Sequence, residues 1–350
     1  MTDNIQNYRF DFSTEAENFA NFIGTRADKV VYVDVGQSRD QIFAKKVLTG
    51  DHEQELASVV DQSMSSDLGI FAKEPKFSSF AKPVIVGDDY GRHYKLGAAL
   101  YVNQNQFVGP LFGGTKDQDL QTLFTLYHEA THAIAQTETP DDNNAHPENI
   151  ADALAALLFL KRFGQSAVPF LQNLSMGRAN MALQSPASAT HLTTVVLDNI
   201  LADSRREDFT KLSAEQIMQR AQEYSAKWMP DDAAVDTIKR VAEEVANNNG
   251  VTPQLTDWLL STTSSSGNSP SNMALYIAAK NAAYNYSSSQ ITGTFNHIAV
   301  NRDDAQALVN RARQMQPSAL FNREASQQSG ISPAPAPAAP SRPAYPRYGS

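Results

Sequence analysis

The chain has no cysteine in its 350 residues. That absence excludes disulfide scaffolds, Cys-ligated zinc fingers, iron–sulfur clusters and thiol catalysis, so any metal site must be built from His, Asp and Glu. Positive charge is scarce as well: 29 Lys and Arg stand against 38 Asp and Glu, giving a net charge of −9. A dedicated nucleic-acid binder needs a basic face to neutralise phosphates, so no nucleic-acid partner is expected. Long apolar runs are lacking too. The best candidate, Ala153 to Phe163, is too short for a membrane span and is interrupted by Lys161 and Arg162, so no membrane association is expected. The opening MTDNIQNYRFDFSTEAENF carries acids and aromatics where a secretory signal needs an apolar core, which makes cytoplasmic residence the default expectation.

What is present suffices for a core, since 41% of residues are hydrophobic and a chain of this length buries much of its unfolded surface. Residues 1–115 read as mixed α and β. Lys29–Gly36 is a β-branched run closed by glycine, and Lys82–Gly87 and Ala98–Phe107 read as two further strands. Residues 53–67 look helical. From residue 117 onward the pattern is helical almost throughout. Leu120, Phe124, Tyr127, Thr131 and Ile134 recur at spacings of three and four, predicting a one-sided helix. A second helix opens at Pro147, a residue suited to the first helical position, and runs through Ile150, Leu154, Leu157, Leu158 and Leu160 to a stop at Gly164. Further helices fit 191–203, 213–228, 232–247, 253–261, 271–286 and 303–315. Six of the 17 prolines fall within 330–346, which predicts a disordered Pro/Ala-rich tail over 324–350. Its P-x-x-P matches, Pro337–Pro340 and Pro340–Pro343, could recruit a partner, although such matches come cheaply in that composition. The expected architecture is α+β: an N-terminal lobe over 1–136 with a small mixed sheet and the 117–134 helix, then a helical lobe over 137–323.

One constellation carries chemistry. His128-Glu129-Ala-Thr-His132 puts two histidines one turn apart on one helical face, so both imidazoles can reach a single metal ion. Zinc suits neutral imidazole. Glu129, next to the first histidine, stands where it can take a proton from water at the metal and hand it to a leaving group. A structural site has no use for such a glutamate. A catalytic zinc needs a third protein ligand, and Asp141, Asp142, His146 and Glu148 compete for that place. Glu148 is favoured because it rides on a helix anchored by Ile150, Leu154 and Leu157, whereas the other three belong to a connection rich in Asn and Pro. Asp152, one turn beyond, can accept the free N–H of a ligating histidine. The plainer alternative makes Glu148 an acid placed to suit the helix N-terminal dipole.

His128-Glu129-Ala-Thr-His132 followed by Glu148-Asn-Ile-Ala-Asp152 resembles the gluzincin class of zinc metallopeptidases, the thermolysin-like pattern H-E-x-x-H…E-x-x-x-D. The resemblance covers residues 117–164. It implies a zincin-like fold, a Zn2+ cofactor, His128, His132 and Glu148 as ligands, Glu129 as general base and Asp152 as partner of a histidine. The interval between His132 and Glu148 is short for thermolysin itself, and this together with Ala153, Ala155 and Leu158 is similar to the ImmA/IrrE-type regulatory peptidases. The expected activity is peptide-bond hydrolysis on a peptide or protein substrate. A zinc-stabilised helical interaction protein and a zinc hydrolase of a non-peptide substrate are the alternatives. Two subsidiary expectations remain. His191, at the head of a helical segment, could polarise the scissile carbonyl. The 98–107 strand would either line the site as an edge strand that pairs with extended peptide, or serve as an ordinary sheet member.

Overall fold

The computed structural model describes residues 10–23, 30–35, 42–47, 68–71, 73–76, 78–87, 93–104, 115–134, 146–248, 250–263, 269–292 and 302–314, with Ile5, Tyr8, Gln106 and Leu111 singly. It is a mixed α+β structure, mostly helical, with one small mixed sheet. The strands are β1 (Val30–Val35), β2 (Ile42–Val47), β3 (Phe80–Gly87) and β4 (His93–Asn103), preceded by helix α1 (Phe12–Ile23). They lie in the order β2-β1-β4-β3, with β1 antiparallel to β2 and parallel to β4, and β3 antiparallel to β4.

Alternation along the strands divides their side chains between two faces. Tyr32 of β1 and Ala98, Leu100 and Val102 of β4 enter the main core, while Val31, Val33, Val35, Ala99 and Tyr101 join Leu68, Phe71 and Val84 in a smaller cluster. Strand β4 is an interior member, flanked by β1 and β3, so the expectation of an edge strand at 98–107 is corrected to ordinary sheet membership. Among the described residues the sheet has two edge strands, β2 and β3, and β3 is the one that meets Glu129. The N–H of Ala81 is directed away from β4 to a side-chain oxygen of Glu129, so its polar groups face outward. Pro83, two residues on in an unbroken register, faces outward too, where its missing N–H deprives the ladder of nothing.

The helices that follow are α2 (Thr115–Ile134), α3 (His146–Phe163), α4 (Val168–Ala182), α5 (Thr194–Asp203), α6 (Ala214–Trp228), α7 (Asp232–Asn248), α8 (Pro253–Thr262), α9 (Pro270–Thr292) and α10 (Arg302–Arg313). α2 packs on β3 and β4 on one side and on α3 on the other. It is therefore buried more widely than a one-sided helix: Leu123, Leu126, Ala130 and Ala133 are covered as well as Leu120, Phe124 and Tyr127. α3 is buried along nearly its whole length, from Ala151 to Leu160, between α2, α5 and α6, as a helix apolar on all sides must be. Gly164 ends it with φ of 56°, a left-handed conformation that favours glycine. By length and apolarity alone the stretch Pro147–Ala182 could cross a membrane, but 61% of the qualifying window is buried inside the protein. One hydrophobic cluster runs from Ile5 to Leu308.

Helix α1, strand β2 and helix α4 were not anticipated from the sequence. The helix read at 53–67, the connection carrying Asp141 and Asp142, and the tail 324–350 lie outside the described residues.

Candidate metal centre

On α2 the His128 and His132 rings lie 4.8 Å apart and nearly perpendicular, with their Nε2 atoms separated by 3.2 Å. Glu148, in the first turn of α3, brings Oε2 to 3.3 Å from His128 Nε2 and Oε1 to 3.4 Å from His132 Nε2. These three residues, with ligand atoms all within 4.8 Å of one another, could hold a metal ion. His128 and Glu148 are buried, and His132 is partly exposed.

The helix beneath the site is held firmly. Thr131, fully buried between the histidines, satisfies its hydroxyl on the Tyr127 carbonyl at 2.7 Å. Tyr127 turns inward and donates to Glu15 of α1 at 3.1 Å, and Arg162 of α3 donates to the Tyr127 hydroxyl at 3.0 Å. Glu15 also pairs with Arg162 and accepts from Tyr8, so one buried carboxylate ties α1, α2 and α3 together. Burial, with Glu15 beside it, pushes the Tyr127 phenol far above its ordinary range.

Asp152 sits one turn beyond Glu148 and has no exposed surface. Its Oδ1 meets His128 Nδ1 at 2.7 Å and accepts from Arg178 Nη2 of α4 at 2.7 Å, while its Oδ2 accepts from the Thr193 hydroxyl at 2.5 Å. Burial works against charge on Asp152, yet the Arg178 guanidinium and His128 hold its carboxyl well below the usual range. Burial likewise opposes charge on His128, but Asp152 and Glu148 outweigh it and push the imidazole up to about 10. Thr193 is the N-cap residue of α5, and its side chain makes no capping bond. Its hydroxyl is committed to Asp152, at a forgone capping contribution of about 1 kcal/mol.

Glu129 stands beside the triangle, partly exposed, with Oε2 accepting the Ala81 N–H at 3.0 Å. Desolvation pushes its carboxyl up, the two imidazoles pull it back, Glu148 raises it, and the Ala81 N–H favours the ionised form. His146 opens α3 and His191 closes a 3-10 turn (Pro186–His191) ahead of α5; the side chains of both lie outside the described residues.

The sequence reading therefore assembled His128, Glu129, His132, Glu148 and Asp152 in one place, and it missed Arg178, Thr193 and the backbone of Ala81. No motif marks those three, which reach the site only through tertiary packing. What the fold and the site define is a mixed α+β protein with a His–His–Glu cluster able to hold a metal ion. No protein-family model, no curated protein and no solved structure matches the chain.

Proposed function

We propose that this chain is a zinc-dependent metallopeptidase of gluzincin-like type. The observation that carries the reading is the juxtaposition of Glu129 with the His128–His132–Glu148 triangle. Ligands about 2.0–2.1 Å from one zinc stand about 3.3–3.4 Å apart; the two Nε2 atoms are 3.2 Å apart, and the Glu148 carboxylate sets one oxygen 3.3 Å from His128 Nε2 and its other oxygen 3.4 Å from His132 Nε2. The donor set fits zinc in kind as well as in spacing: two imidazoles and one carboxylate is the ligand set of many zinc hydrolases. Asp152 fixes the orientation of His128 by engaging Nδ1, which leaves Nε2 for the metal.

Zinc held there would supply Lewis acidity toward a substrate carbonyl. The chain's own residues supply the rest. Glu129 takes the proton of an attacking water and returns it to the leaving amine. The outer edge of β3 adjoins Glu129 and offers backbone carbonyls at Ala81 and Pro83, along which an extended peptide can lie. The substrate is accordingly a peptide or protein segment in extended form.

Metal content and a peptide-library cleavage profile, compared between the native protein and Glu129→Gln, test the reading. The variant should keep about one zinc and lose about 100- to 10,000-fold in rate. Equal activity in the variant, or no cleavage by the zinc-loaded native protein, removes the peptidase. Loss of zinc from the variant recasts Glu129 as a ligand.

A further inference from the structure

Among the described residues, Arg178 is the cation paired with an acid of the metal centre. Asp152, Glu148 and Glu129 all act on it, Asp152 most strongly among them. Its Nη2 shares the Oδ1 of Asp152 with His128 Nδ1, each at 2.7 Å, so the guanidinium and the imidazole compete for one oxygen. The other oxygen is taken by Thr193. A carboxylate held at both ends by groups from two further helices cannot rotate, and the imidazole that leans on it cannot rotate either.

Both of these helices are themselves fixed from behind. Thr194 of α5 donates to the Ser175 carbonyl of α4 at 3.2 Å, and the Ser175 hydroxyl donates to Asp198 of α5 at 2.8 Å. Lys280 and Tyr276 of α9 close the arrangement on Asp198 at 2.7 and 2.5 Å. Arg178 and Thr193 are thus presented to Asp152 from a braced pair of helices, not from mobile loops.

We propose that Arg178 is a positioning residue of the metal centre: by holding Asp152 it fixes the direction of His128 Nε2. This rests on the metal-centre reading above, and it assigns no contact between Arg178 and the metal or the substrate. The contact runs through a single guanidinium nitrogen, Nη2, and the shorter side chain of Lys would bring its ammonium to that oxygen from another direction.

The test is a double-mutant cycle read by metal binding rather than by hydrolysis. Zinc affinity is measured by competition with a chromophoric chelator, and the visible spectrum of the Co2+-loaded protein reports the ligand field. Arg178→Met in the native background should weaken zinc binding and shift the Co2+ bands, by no more than the about 10- to 100-fold that loss of Asp152, the histidine's own partner, would cost. The same substitution made on top of Asp152→Asn should weaken binding no further, because the positioning acts through Asp152. Arg178→Lys, which keeps the charge and guards against a variant that fails to fold, should bind zinc several-fold more weakly than native with a shifted spectrum. Native affinity and an unshifted spectrum in Arg178→Lys and Arg178→Met would overturn the proposal, as would an equal loss in both backgrounds, which marks a merely structural role. Failure of the native protein to bind either metal would instead overturn the metal-centre reading itself.

Discussion

Loading the site with zinc should expel a proton from His128, and the amount can be stated. Burial opposes charge on this imidazole, but Asp152 at Nδ1 and Glu148 at Nε2 push it up to about 10 in the metal-free protein. A metal takes the neutral nitrogen, so at pH 7.5 binding should release close to one proton from His128, against about 0.1 from an imidazole with the ordinary value near 6.5. The same residue makes affinity fall about tenfold for each pH unit below 10. Between pH 8 and pH 6 that is about 100-fold, or about 2.7 kcal/mol, where an ordinary imidazole would cost about fourfold. Titration calorimetry of zinc binding at pH 7.5, in buffers of different ionisation enthalpy, counts the protons directly. A count near 0.1, with affinity falling only about fourfold from pH 8 to pH 6, would refute the argument. Stability runs in opposite senses in the two states. The raised value means that the imidazolium contributes stability to the metal-free protein that is complete below about pH 6.5 and is lost as pH rises through 10. In the loaded protein, acid competes with the metal for the same nitrogen, so the gain in thermal midpoint given by zinc should shrink as pH falls.

The choice of third ligand can be checked by substitution. Glu148→Ala should weaken zinc binding by more than the 10- to 100-fold typical of an outer partner, whereas His146→Ala should leave it unchanged; chelator competition distinguishes the two, and the reverse order would displace Glu148 from the centre. The buried cluster behind the site gives a stability prediction. Lys280→Met leaves Asp198, only 8% exposed, without its cation and should lower the unfolding free energy by about 2–3 kcal/mol, below the 3–5 of a fully buried pair because Lys280 itself is 23% exposed. Urea unfolding measures this, and a cost under about 0.5 kcal/mol, typical of a surface substitution, would show the pair to be solvated.

The parts of the site that share a helix were legible in the sequence, and the parts that arrive by packing were not. His128 and His132 are one turn apart wherever α2 goes, and Glu148 and Asp152 are one turn apart wherever α3 goes, so each pair follows from spacing alone. Which side of α2 would meet α3 is set by an apolar surface wider than the sequence pattern suggested. Arg178 was missed because α4 was missed. In that helix Phe170, Leu171, Leu174, Ser175, Ala179 and Asn180 are all buried, and polar members among them are satisfied by distant partners. Ser175 bonds Asp198, and Asn180 accepts from Asn281 at 3.0 Å. A helix that buries hydroxyls and amides beside leucines shows no clean 3.6-residue period. Sheet order is likewise absent from local sequence: nothing in Ala98–Asn103 says that β1 will lie on one side of it and β3 on the other. Pro83 was the available signal, since a proline within a strand points to an edge.

That edge has a consequence for how the protein behaves in company. A sheet's outermost strand is a template for another chain, and unguarded donors there invite self-association. On β3, Pro83 has no donor to offer and the N–H of Ala81 is occupied by Glu129. The residue proposed to move protons therefore also stops up a backbone donor. Glutamine in its place keeps an oxygen for Ala81, while alanine would lay that N–H bare. An alanine variant would thus combine two defects, one in proton transfer and one in colloidal behaviour, and any inactivity it displayed could belong to clumped protein as much as to a missing base.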